Sequence, residues 1–139
     1  MADGNLKPEK DFSHELNERL PSIESLARKD VQAALDQLLV LEKQTRPASD
    51  LASTSRVLVM IVTICKEADR WPLLNDQLQT LAKKHGQLKQ AVTKMVQVAM
   101  TFLDQTQDLQ IKLSLIEALR VVTEGKVSYS SADLSVFGN

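Results

Sequence analysis

Two histidines, a single cysteine and a run of lysines are the side chains in this sequence with the clearest capacity for chemistry. His14-Glu15 begins like the His-Glu-x-x-His of zinc proteases, where two histidines one helical turn apart share the metal and the glutamate acts as base. The position of the second ligand is occupied by Glu18. A solvated helix face is therefore the better reading. His85 stands beside Gly86 and reads as a cation at a helix C-terminus, where the negative end of the dipole favours it. Cys65 and both histidines are far apart in the chain, so they do not spell a His/Cys metal cluster. Ser, His and Asp are all present, but no spacing selects a triad, which is defined by geometry. Glycines at 4, 86, 125 and 138 write neither a phosphate loop nor a dinucleotide fingerprint. The expectation is a protein that is not an enzyme, with no catalytic residue, no metal and no cofactor.

Two features point to binding. No acidic residue lies between Asp76 and Asp104, a stretch that holds Lys83, Lys84, Lys89 and Lys94. A solvated face is the default for such a run. The sharper reading is a docking patch for an acidic protein surface, with charge supplying steering and register. The stretch has no arginine and no aromatic residue before Phe102, which argues against nucleic acid. Trp71, the one tryptophan, opens a repeat. It reads first as a packing anchor and second as a partner-binding hot spot.

The elements that must position these residues are written in a repeat. Residues 31–43, VQAALDQLLVLEK, return forty positions later as WPLLNDQLQTLAK at 71–83. Asp36-Gln37-Leu38 falls on Asp76-Gln77-Leu78, Leu41 on Leu81 and Ala34 on Leu74. A fainter copy starts at Ile111, with Leu113, Ala118 and Val121 at its apolar positions. Apolar segments at 51–65 and 88–103 separate the copies, so the unit is two helices long. A period of about forty marks a helical solenoid, in which stacked pairs bury stripes that no single pair can cover. The predicted fold is all-α: a right-handed solenoid of antiparallel helix pairs with five to seven helices.

Phe12, Leu16, Leu20, Ile23 and Leu26 form a first stripe, which Pro21 either kinks or splits in two. Asp30 is placed to cap the second helix, with Val31, Ala34, Leu35, Leu38 and Leu41 inward. Ser49 or Asp50 caps the third. It carries Leu51, Leu58, Ile61, Val62 and Cys65 on one side and Val57, Met60 and Ile64 on the other, the pattern of a helix with neighbours all round. Trp71-Pro72 opens the fourth helix and His85-Gly86 closes it. The fifth turns Leu88, Ala91, Val92, Met95, Ala99, Phe102 and Leu103 inward. Asp108 caps the sixth, which packs Ile111, Leu115, Ile116, Leu119 and Val122 and stops before Gly125. Residues 1–10 are expected to be flexible, 11–126 to form the helical-repeat domain, and the serine-rich 127–139 to be a loosely held tail.

Composition agrees. Apolar residues make up 43% and aromatic ones only 4%, a Leu/Val/Ile/Ala/Met core suited to helix-on-helix packing. The net charge of −1 does not suggest non-specific nucleic-acid binding. The longest apolar run, 57–65, is far short of the roughly 20 residues a membrane span needs. The N-terminus has no apolar run and is not a secretory signal. A single cysteine excludes an internal disulfide and fits a reducing compartment.

Three longer stretches carry a family likeness: ALDQLLVLEKQTRPASDLASTSRVL at 34–58, LAKKHGQLKQAVTKMVQ at 81–97 and ALRVVTEGK at 118–126. Across 12–126 the chain resembles the N-terminal region of the subunit-five family of the proteasome regulatory-particle lid, non-ATPase scaffold subunits that end in a PCI module. The resemblance implies a scaffold without catalysis, cytoplasmic and nuclear. Its implied partners are neighbouring lid subunits and the core-particle α-ring, with no nucleic acid and no membrane. The lid's deubiquitinase activity belongs to another subunit. Members have also been linked to the signalosome, so a signalosome subunit fragment, or a general helical-repeat adaptor, is the alternative. After Lys126 the family continues with more repeats and the PCI module, whereas 127–139 departs from it and is expected to be a tail that the family does not share. A shortened solenoid leaves an apolar end, so weak self-association is expected through the last helix, around 111–122.

Overall fold

The computed structural model describes residues 10–126. They form α1 (Ser13–Ala27), α2 (Val31–Thr45), α3 (Leu51–Glu67), α4 (Trp71–Ala82), α5 (Lys89–Thr101), a 3₁₀ turn (Phe102–Gln105) and α6 (Leu109–Lys126). No strand occurs among the described residues.

The helix starts follow from side-chain caps. Asp30 is extended, and its carboxylate accepts the Ala33 N–H at 3.0 Å. Asp108 accepts from the N–H groups of Gln110 and Ile111 at 2.9 and 3.2 Å. Asp50 takes the third start rather than Ser49. Its Oδ1 accepts from the Ser53 N–H at 3.1 Å, while its Oδ2 accepts from the Phe12 N–H at 2.8 Å. One buried carboxylate thus satisfies orphan donors at the heads of two helices.

The helix ends were less legible. Asp69, at φ 58, occupies the left-handed position after α3. Asp69 N–H donates to Lys66 O at 3.0 Å and Arg70 N–H to Cys65 O at 2.8 Å, the paired bonds of a Schellman ending. Pro21 neither splits nor ends α1. Pro21 and Asn17, whose carbonyl loses its donor, are both exposed, so water can take up the missing bond. α4 ends at Ala82, before His85-Gly86. α6 continues through Gly125 to Lys126 instead of stopping short of it.

Stacking is as the repeat requires. α3 packs against α1, α2, α4 and α5, and α6 packs on α4. Thus α1, α3 and α5 make one layer, and α4 and α6 stack in the other, which α2 opens. Equivalent repeat positions are equivalently buried: Ala34 and Leu74, Leu38 and Leu78, Leu41 and Leu81 are all inaccessible. Two expected core positions are corrected. Leu51 opens α3 at the array's edge and is 37% exposed, and Leu113, in the fainter third copy, is 51% exposed. Of the other α6 positions expected to be apolar, Leu115, Ala118, Leu119 and Val122 do turn inward.

Truncating Leu38 removes a fully buried side chain, so Leu38→Ala should destabilise the fold by about 2–5 kcal/mol through lost transfer energy and a cavity. Leu51→Ala should cost under about 1 kcal/mol, as at a surface position. Urea unfolding of both variants measures the difference, and equal losses would contradict the packing described.

Candidate docking site

The lysine-rich stretch is the link between α4 and α5, residues 83–88, and a polar knot holds it in place. Glu42, near the end of α2, has a side chain only 1% exposed, and Arg46 one turn later is 16% exposed. Arg46 Nε donates to Glu42 Oε2 at 2.8 Å, and Arg46 Nη1 reaches across to the His85 carbonyl at 2.7 Å. Gln87 Nε2 donates to the same Glu42 oxygen at 3.0 Å and to the Leu81 carbonyl at 2.8 Å. Gln87 Oε1 accepts the Leu88 N–H at 3.1 Å. Gly86, at φ 74, supplies the left-handed turn between His85 and Gln87, which a side chain would strain.

This turn and the start of α5 face the second half of α6 across a cleft of about 620 Å³. Lys83, Lys84 and Lys89 line it together with Ala82, Val121 and Val122. Among the described residues no carboxylate lines the cleft, and none pairs with these three ammonium groups. Leu88, the residue before α5, offers no side-chain cap, and the first turn of α5 has no acidic residue, so the positive end of its dipole faces the same region unneutralised.

The five residues singled out in the sequence do not form one patch. Lys83, Lys84 and Lys89 converge. Lys94 is exposed on α5 but lies roughly 140° round the helix from Lys89 and outside the cleft lining. Trp71 is 7% exposed, and its indole N–H donates to Asp69 at 2.6 Å, the place of a packing anchor between helix pairs. The knot residues Glu42, Arg46 and Gln87 were missed. The Glu-x-x-x-Arg spacing was visible, but that spacing ordinarily marks a solvated helix pair, and nothing local announces that this one is buried.

Other chemically capable residues stand alone. His14 faces Glu18 at 3.4 Å on the exposed side of α1. Among the described residues no group of three or more His, Cys, Asp and Glu side chains could hold a metal. Cys65 is buried in α3, and burial raises its thiol from the ordinary 9.0 to about 11, with Arg70 pulling weakly the other way.

Two predictions follow from these environments. Glu42→Gln leaves Arg46 and Gln87 without the shared carboxylate. Breaking a fully buried pair costs about 3–5 kcal/mol, and water contact at Arg46 lowers the expected loss to about 2–3 kcal/mol. Glu18→Gln, at the surface pair, should stay within about 0.5 kcal/mol, and urea titrations of both compare them directly. For Cys65, the unfolded thiol ionises above 9.0 while the folded thiol keeps its proton until about 11. Stability from this group is complete below pH 9 and declines as pH rises towards 11. Unfolding midpoints across that window should fall more steeply for the wild type than for Cys65→Ala; parallel curves would refute the assignment.

The family described as PSMD12/CSN4, N-terminal, matches residues 33–136. The 26S proteasome regulatory subunit RPN5 of Saccharomyces cerevisiae is 50% identical over 127 residues, 90% of this chain and 28% of the relative. The regulatory subunit rpn501 of Schizosaccharomyces pombe is 45% identical over 87% of this chain and 27% of its own length. The 26S proteasome non-ATPase regulatory subunit 12 of Dictyostelium discoideum is 43% identical over 68% of this chain and 21% of its own. The chain spans less than a third of the length of these relatives. With a match over most of its length and an array of stacked helix pairs, the chain belongs to the PSMD12/CSN4 N-terminal family.

Proposed function

We propose that this chain is a non-catalytic scaffold segment of the proteasome regulatory-particle lid, acting in ubiquitin-dependent protein degradation by binding neighbouring lid subunits or the core-particle α-ring. The observation that carries the reading is close identity to proteins named as proteasome regulatory subunits. The physical character of the fold supports it. Leu, Val and Met fill the space between the helices, and what the array offers is an extended outer surface. Binding through such a surface needs no cofactor, and no helix among the described residues is long and apolar enough to cross a membrane. We place the protein in the cytoplasm and nucleus, treat 11–126 as its helical-repeat domain, and assign docking to Lys83, Lys84 and Lys89, with Trp71 and Lys94 outside that patch. Leu109 and Leu113, 65% and 51% exposed on α6, mark the end where weak self-association would occur. The family's joint description with CSN4 favours one second reading, a signalosome subunit fragment with the same fold and different neighbours.

The test is retention of purified particles on the immobilised chain. Core particle, lid and signalosome are passed separately at micromolar concentration, and bound subunits are counted by mass spectrometry. Retention of core particle or lid is the expected result. Retention of signalosome alone moves the assignment to the second reading, and retention of none by a chain of native helicity overturns both.

A further inference from the structure

We propose that the cleft between α4 and α6 binds an extended acidic peptide segment, its carboxylates meeting Lys83, Lys84 and Lys89 and one aliphatic side chain entering over Ala82, Val121 and Val122. This rests on the docking reading above and names the chemistry of the ligand. The cleft, about 620 Å³, falls within the roughly 300–1,000 Å³ of sites that enclose a ligand. It has room for one large aliphatic side chain and a few residues of backbone. Among the described residues its rim carries three cations and no carboxylate, in a chain whose net charge is −1, so the positive charge is local. The uncapped start of α5 adds to the field at the same rim. Charge alone would suit any anion. Val121 and Val122 on the opposite wall reward an apolar group that inorganic phosphate lacks, and among the described residues the lining has neither the arginine nor the aromatic faces that hold nucleotide bases. The backbone carrying the lysines is already fixed by Arg46 and Gln87, so little order has to be imposed on binding.

The probe is a short dye-labelled peptide of Glu and Ser with one central Leu, titrated into the whole chain and followed by anisotropy. Saturable binding is expected, with shifts of the Val121 and Val122 methyl resonances. The combined Lys83→Glu, Lys84→Glu and Lys89→Glu variant should weaken it tenfold or more, Lys94→Glu should leave it unchanged, and replacing the peptide's Leu with Ser should weaken it several-fold. Far-ultraviolet circular dichroism checks that each variant is folded, and the corresponding Lys→Gln set replaces the reversals if it is not. No saturable binding, an equal loss with Lys94→Glu, indifference to the peptide's Leu, or tighter binding of a single-stranded oligonucleotide would each overturn the proposal. No proteasome particle is present in this titration. Failure here with particles still retained removes the cleft assignment alone, and success here with no particle retained removes the assembly reading alone.

Discussion

A carboxylate withdrawn from water has to be met by donors, and Glu42 is met by two residues from different parts of the chain. Arg46 comes from its own helix, and Gln87 from the link between α4 and α5. Because Arg46 and Gln87 also hold the His85 and Leu81 carbonyls, satisfying one charge fixes the path of the link. The turn at Gly86, the entry of α5 and the placing of three lysines on one cleft all depend on it. Apolar packing would hold that link only through Leu88, since its other residues are polar or glycine. The knot also occupies ground where α2 and α4 do not pack closely, and so connects the first helix pair to the second by polar bonds.

Asp50 has the same role close by, in the turn between α2 and α3. One buried side chain caps α3 and receives the Phe12 amide at the entry to α1. α3 lies between four other helices, so its position sets theirs. The interior of the array is apolar, and its polar connections are concentrated where helices begin or the chain reverses. That division suits a stacked fold. Hydrophobic stripes are non-directional and drive the pairs together, while the hydrogen-bonded ends decide how each pair enters the next.

The repeat was legible because a forty-residue period places Leu38 and Leu78, or Leu41 and Leu81, in matching environments, and burial is what selects those residues. The starts at Asp30, Asp50 and Asp108 were legible because capping is local chemistry. Leu51 and Leu113 were misread because periodicity tells which side of a helix is apolar without telling where the neighbouring helix runs out. The end of α4 was misread because Gly86 serves the turn rather than the helix terminus. At the candidate site, the lysines were visible as a run of charge, but the reversal after Ala82 is what brings Lys83, Lys84 and Lys89 to one cleft, and the turn of α5 is what carries Lys94 away from it. Val121 and Val122, which complete the cleft, lie on another repeat. The burial of Glu42 is a tertiary fact with no local sign, since Glu-x-x-x-Arg looks the same on a wet helix.

The left-handed positions after α2 and α3 are filled by Ser49 and Asp69 rather than glycine. A residue with a side chain has fewer backbone states than glycine, and Asp69 is further tied to the Trp71 indole. These links have little freedom to bend. Mechanically the array is closer to a stiff lever than to a chain of hinged segments. A load on one helix pair is then passed to the next through the packed layers rather than taken up at these two joints.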